Sequence, residues 1–319
     1  MILIIFSISF VIAITIILIW FSQSDRDLEV AFAERFGFSI EKFKDKVIWI
    51  TGASSGIGEH LAYTLAPVGA KLIISGTDEN KMSKVAQRCT ALSKCDNVLV
   101  LPFNISNTSC HEEMFQKVLK RFKKLDILIN NAGRSQRASF LEIDLQVDKD
   151  LFDVNVFGLI NLTRIVLKYF LESNIDGQIG VTSSTAGLLG VPYSASYTAS
   201  KHALHGYFEC LRTELGRKGI SISLFCVGPT FSNLLEKAYV GKPGKTLGGN
   251  RHPGSRMMDT ERCAYLIAIA LANKIDQAWI AIQPVLSIHY LSQYFPWFFR
   301  RYFPKFFTEE LGKKIRDGK

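Results

Sequence analysis

The sequence predicts an α/β fold in which helices cover both faces of a doubly wound parallel sheet of about seven strands. Two observations carry that reading. Short, continuously apolar runs (Val47–Thr51, Lys71–Ser75, Val98–Phe103 and Asp126–Asn130) are separated by stretches of helical pattern. Strands buried on both faces lose the in–out alternation of a half-exposed sheet. The first run also leads into a glycine-rich turn, Thr51-Gly-Ala-Ser-Ser-Gly-Ile-Gly58, and then a helix-forming stretch from Glu59 to Ala66. Strands alternating with helices make a parallel sheet joined by right-handed crossovers.

A chain of 319 residues with 48% hydrophobic content can bury a full core, and its overall state is not disorder. The formal net charge of +9 arises in part from a basic tail that includes Arg300, Arg301, Lys305, Lys313 and Lys314. No nucleic-acid recognition motif accompanies that charge, so an anionic membrane surface is the better partner for it. The six cysteines are scattered without a Cys-x-x-Cys and leave the redox compartment open. Residues 1–21 are uncharged and dominated by Ile, Leu, Val and Phe, enough for a helix across about 30 Å of hydrocarbon. With no basic start and no small-x-small cleavage site, the segment reads as an uncleaved anchor. The expected organisation is an anchor over 1–22, a polar linker over 23–44, a nucleotide-binding domain over 45–285 and an aromatic, basic extension over 286–319.

The glycine turn has a specific physical use. Glycines at 52, 56 and 58 allow a tight turn and close approach of the backbone to a pyrophosphate, and the helix that follows offers unpaired N–H groups and its positive end. A strand, this turn and a helix, in that order, form a Rossmann-like dinucleotide-binding unit. The second strand ends in Gly76-Thr77-Asp78. Enzymes that select NAD usually carry a carboxylate at this strand end; here the position is glycine, which favours NADP and leaves NAD open. Asn104 follows the third strand, where an adenine would rest, and Asn130-Asn-Ala-Gly133 ends the fourth. Asn155 interrupts an apolar helical run, either as a packing hydrogen bond or as part of the site.

Tyr197 and Lys201 stand four positions apart, which places both on one face of a helix. A phenol is a poor base at neutral pH, and a fixed ammonium nearby favours its ionised form. The pair therefore suits proton transfer, and the Ser184 hydroxyl suits the same oxygen of a substrate. Alone, Tyr-x-x-x-Lys is equally an ordinary helix surface pair.

Taken together, Thr51-Gly-x-x-x-Gly-x-Gly58, Asn130-Asn-Ala-Gly133, Asn155, Ser184 and Tyr197-x-x-x-Lys201 resemble the short-chain dehydrogenase/reductase family. Asn130-Asn-Ala-Gly-Arg-Ser-Gln-Arg137, Tyr197-Thr-Ala-Ser-Lys-His-Ala-Leu204, Leu211-Arg-Thr-Glu-Leu215 and the apolar N-terminus make the chain most similar to that family's membrane-anchored members. Its retinol and steroid dehydrogenases are less close. The resemblance implies that Tyr197 is the general acid/base and that Lys201 holds the nicotinamide ribose and lowers the Tyr197 pKa. Ser184 would bond the substrate oxygen, and Asn155 would hold a relay water. It further implies cofactor contacts from Gly52, Ser54, Ser55, Gly56, Ile57, Gly58, Asn104, Asn131, Ala132, Gly133, Tyr197, Lys201 and Ser232. Two departures stand out: Asn104 replaces the usual aspartate beside the adenine, and Val227-Gly228-Pro229 replaces the usual Pro-Gly.

Residues 233–258, rich in glycine, read as a mobile cover over the substrate. The aromatic and basic run Tyr290–Phe307 suits a membrane–water boundary. The anchor and this run imply a lipophilic substrate (a retinoid, a steroid or another lipid ketone) and a location in the endoplasmic reticulum membrane. A homodimer through the helices bearing Asn155 and Tyr197 is a family habit. The rival readings are a cofactor-binding membrane scaffold and a long-chain keto-lipid reductase.

Overall fold

Seven parallel strands form one sheet in the order β3-β2-β1-β4-β5-β6-β7. The computed structural model describes residues 21–94, 97–248 and 257–306, with residues 15, 19, 308, 310, 312 and 313 besides. Most of the apolar N-terminal run therefore lies outside the described residues. In chain order the elements begin with α1 (Leu28–Phe36), β1 (Val47–Thr51), α2 (Gly56–Leu65), β2 (Lys71–Gly76) and α3 (Glu79–Ser93). They continue with β3 (Val98–Pro102), α4 (His111–Phe122), β4 (Ile127–Asn130) and α5 (Leu145–Phe152). A π-helical turn, Asp153–Phe157, leads into α6 (Gly158–Glu172). Then come β5 (Gln178–Ser184), α7 (Ala195–Leu215), β6 (Ser221–Val227), α8 (Thr260–Ala272), β7 (Gln277–Ile280), α9 (Val285–Tyr294) and α10 (Pro296–Tyr302).

Side chains alternate across each strand, so one apolar run feeds two cores. From β1, Ile48 and Ile50 join Leu61 and Leu65 of α2 and Leu266 and Ile269 of α8. Val47 and Trp49 face the other way, onto Phe115 of α4, Val166 of α6 and Phe208 of α7. A strand walled in on both sides has no polar face, which explains the unbroken apolar runs of the sequence. The helical stretch Leu145–Glu172 is long and apolar enough to cross a membrane, but half of its most apolar part is buried in the domain. It is one of the helices that cover the sheet.

The residues expected to form a polar linker fold onto the domain instead. Asp27 caps α1 by accepting from the Val30 N–H (2.8 Å), and its other carboxylate oxygen accepts from Trp279 N–H (2.5 Å). Arg26 bridges to Ile280 in antiparallel register, so residues 25–27 cover the open edge of β7. Arg262 of α8 reaches both Asp25 (2.7 Å) and Glu34 (2.5 Å). Burial works against the Asp25 carboxylate, but hydrogen bonds from Arg262 and Arg26 more than offset it and hold its pKa below the usual value. The sequence signal was present: Asp27 as cap with Val30 and Ala33 on one face. It was masked by the charges around it. At the other end, α9 buries Leu286 and His289, so the domain runs past residue 285.

Replacing Arg262 with alanine is expected to cost about 1–2 kcal/mol, because two partly exposed carboxylates lose their partner. Urea unfolding measures this, together with faster proteolysis of residues 21–45.

Candidate active site

The strand order reverses between β1 and β4, and ligands of such sheets bind beyond the strand ends at that point. The Thr51 hydroxyl accepts the N–H groups of Asn131 (3.0 Å) and Ala132 (3.1 Å). The Asn131 amide donates back to the carbonyls of Thr51 (3.1 Å) and Gly52 (3.2 Å), while its oxygen accepts from the Thr182 hydroxyl (3.1 Å). The ends of β1, β4 and β5 are thereby tied into one floor. Two glycines make this approach feasible. Gly52 has φ +68°, and an added Cβ would stand 2.7 Å from the Ala132 Cα. A Cβ on Gly58 would meet the Asn131 amide nitrogen at 2.5 Å. The turn also leaves Ser54, Ser55, Gly56 and Ile57 facing open space at the start of α2.

That space is a cavity of about 580 Å³ bordered by the glycine turn, the ends of the strands and the segment after β6. Of the residues expected at the site, Gly52, Ser54, Ser55, Gly56, Ile57, Asn104, Asn131, Ala132, Gly133, Ser184, Tyr197, Lys201 and Ser232 all border it. Gly58 and Asn155 do not; both stand behind the wall. Gly58 supports the turn. The Asn155 amide donates to Arg134 O (2.9 Å) and Ser200 Oγ (3.0 Å), and its oxygen accepts from Arg134 N–H (2.8 Å). Asn155 lies in the π turn, a local widening that often marks functional sites. Nothing in Asp153-Val-Asn-Val-Phe-Gly158 announces that turn. Asn130 is not a wall residue either, since its buried amide donates to Thr163 Oγ1 (2.8 Å).

α7 brings Tyr197 and Lys201 to the cavity wall, and β5 delivers Ser184 opposite them. Ser184 Oγ accepts from Ala186 N–H (3.1 Å) and is hydrogen-bonded to Tyr197. The neighbouring hydroxyl, Ser183, turns instead to His205 Nε2 (2.9 Å). The Lys201 ammonium donates to Thr182 O (2.8 Å) and stands 5.8 Å from the centre of the Tyr197 ring. Burial pushes the Lys201 pKa down to about 8, so the group is still mostly charged at neutral pH. The expected lowering of the Tyr197 pKa by Lys201 does not emerge from the protein groups alone. Burial raises the Tyr197 pKa, and the Ser184 hydrogen bond and the Arg137 charge offset it only in part. The hydroxyl is protonated at neutral pH.

At the end of β2, Gly76 and Thr77 border the cavity. Asp78 is committed elsewhere: it caps α3 by accepting from Lys81 N–H (3.0 Å), with Lys81 Nζ at 3.5 Å. That backbone hydrogen bond, followed by the charges of Lys81 and Lys237, holds its carboxyl below the usual range. Asn104 forms a local turn by accepting from Ser106 N–H (3.1 Å). Of the expected cover, residues 249–256 lie outside the described residues; its described part is tied across the cavity, where Tyr239 N–H donates to Ser135 O (2.9 Å) and Arg137 N–H donates to Tyr239 O (2.8 Å). Arg134, Arg137, Leu235 and Tyr239 are wall residues that motif reading did not assign; the first two stood within a quoted motif without a role.

Residues 46–241 match the family model described as short chain dehydrogenase. The chain belongs to the short-chain dehydrogenase/reductase family. It is 40% identical over 302 residues to human dehydrogenase/reductase SDR family member 7, covering 93% of this chain and 87% of the relative. Over 275 residues it is 30% identical to the zebrafish member 7B, covering 85% and 88%. The narrower likeness indicated by the 130–137, 197–204 and 211–215 motifs, to the member 7 type, agrees with these relatives. Among solved structures, a short-chain dehydrogenase/reductase from Burkholderia phymatum in complex with NAD superposes with a TM-score of 0.70. It is 26% identical and covers 79% of this chain and 94% of that one. The protein is an oxidoreductase of this family that uses NAD or NADP and acts on a small molecule.

Buried histidines give the domain a pH signature. Burial, with some help from neighbouring cations, lowers the His205 pKa to about 4, and burial does the same for His289. Both are neutral in the folded state down to that pH, whereas an unfolded chain takes up protons near pH 6.5. Stability from these groups is therefore intact above pH 6.5 and falls below it, by up to about 1.4 kcal/mol per pH unit for each histidine until pH 4. Urea unfolding between pH 7 and 4.5 tests this, with a shallower fall expected for His205→Asn.

Proposed function

We propose that the protein interconverts a carbonyl and its alcohol on a lipophilic substrate, with NADP(H) as the preferred cofactor and Tyr197 as the proton donor and acceptor. One observation carries the reading: Ser184, Tyr197 and Lys201 meet on the wall of the same cavity whose far end is the glycine turn. A bound nicotinamide supplies the hydride. The chain's own residues supply the rest. In reduction, Tyr197 gives its proton to the carbonyl oxygen, and Ser184 stabilises the developing negative charge on that oxygen. The Lys201 ammonium, charged and close by, favours the phenolate left behind. Asn155 fixes the backbone of Arg134 from both sides and so holds the loop after β4 in place.

Several features support the finer parts. No carboxylate borders the cavity at the end of β2, Asp78 being engaged in a helix cap, so a 2′-phosphate meets no free acid there. Lys237, on the covering segment, borders the same cavity and lies within electrostatic reach of Asp78. For the membrane, the segment just after the apolar N-terminal run packs on the start of the aromatic run: the Phe21 and Tyr290 rings lie 5.4 Å apart, and the Tyr290 hydroxyl accepts from Leu28 N–H (3.2 Å). Beside them Phe295, Trp297 and Phe298 are exposed, followed by Arg300 and Arg301. Aromatics beside cations suit the headgroup region of the endoplasmic reticulum membrane. The Phe21–Tyr290 contact supports the reading that an N-terminal anchor and the aromatic run after Tyr290 meet the same membrane.

Tyr197→Phe is expected to lower kcat 100-fold or more while NADPH still binds. Retained turnover of every ketone tried, with unchanged kcat, removes Tyr197 as the acid. Fluorescence titration is expected to show tighter binding of NADPH than of NADH.

A further inference from the structure

We propose that the substrate is an amphiphile bearing an anionic group, a carboxylate or a phosphate, and that Arg134 receives it. The proposal rests on the oxidoreductase reading above and names the class of molecule within it. Arg134 directly follows the Asn-Asn-Ala-Gly turn, and a Cβ on its neighbour Gly133 would lie 3.6 Å from Lys201 Nζ. The residue is therefore next to the reacting centre. Its backbone is clamped on both sides by Asn155, so the side chain starts from a fixed point. It is half-buried and borders the cavity.

The guanidinium makes no ion pair among the described residues. What faces it is the Tyr239 ring of the covering segment, 5.0 Å from its centre. A half-desolvated cation gains little from one aromatic face and much from a carboxylate or phosphate, which it binds in bidentate fashion. Arg137, three residues on, also borders the cavity and its charge reaches Tyr197, but it is held by donating to Gln136 O and to Ser194 Oγ at the start of α7. Asp150 and Asp153 also border the cavity, but Asp150 accepts from Gln146 (2.7 Å), and neither pairs with Arg134. Val191, Leu235 and Met257 supply apolar wall for the rest of the molecule. A guanidinium without an ion pair beside the chemistry, and apolar walls beyond it, fit a charged head on an aliphatic or ring body.

The test uses full-length protein in detergent with NADPH and a series of straight-chain oxo acids differing in the distance between oxo group and carboxylate, each beside its methyl ester. Matching oxo-alkyl phosphates form a parallel series that identifies the head group. At least one acid or phosphate is expected to exceed its neutral partner in kcat/KM by tenfold or more, mainly through KM. Arg134→Met is expected to bring that ratio close to one, and Arg134→Lys to keep part of it. A wild-type ratio near one, or a ratio that survives Arg134→Met, overturns the proposal. Neutral ketones turned over without preference for the acids would sink this inference alone. Absence of turnover on the whole panel sinks the oxidoreductase reading, and calorimetric binding of acid against ester then decides the question of charge.

Discussion

Everything at the site depends on how closely the backbone after β1 passes the backbone after β4. Two missing Cβ atoms, at Gly52 and Gly58, let the two segments approach, and the Thr51 hydroxyl and the Asn131 amide lock them there. Asn131 then reaches Thr182 on β5, so the floor spans three strand ends. Because strands on the two sides of this point lead away in opposite directions, the helices leave a crevice above it. A methyl group at residue 52 would force the floor apart and with it the wall that carries Ser184. The nucleotide cradle and the proton-transfer groups are thus two ends of one construction.

The wall itself balances burial against hydrogen bonding. Lys201 gives up part of its basicity to burial but keeps a carbonyl partner in Thr182. Tyr197 is held neutral by its surroundings, which suits a proton donor in reduction more directly than a resident base. Ionising this phenol would have to overcome its burial, which the Ser184 hydrogen bond and the Arg137 charge offset in part. The direction of the reaction is then a matter of what occupies the cavity with these groups rather than of the groups themselves.

Much of this was legible in the amino-acid order. Parallel strands announce themselves as apolar runs because both faces are covered, and the glycine turn is legible because only glycine tolerates φ +68° so near another backbone. The match of Tyr197 with Lys201 follows from helical spacing alone. What escaped reading depends on contacts between segments far apart in sequence. Charges at Asp25 and Glu34 looked like solvent-facing linker and proved to be partners of Arg262, more than two hundred residues away. The widened turn at Asn155 has no composition of its own. Arg134 was visible as a letter in a motif, but its role needs the ring of Tyr239, which a loop carries back across the cavity. The sign of the Tyr197 shift also escaped, since spacing reports proximity and says nothing of burial.

The pairing of residues 25–27 along β7 has a mechanical meaning. Phe21 already touches the body, its carbonyl accepting from the Gln283 amide and its ring resting on Tyr290. The backbone of β7 at Trp279–Ala281 is already taken by the chain's own residues, so a foreign strand cannot add to the sheet there.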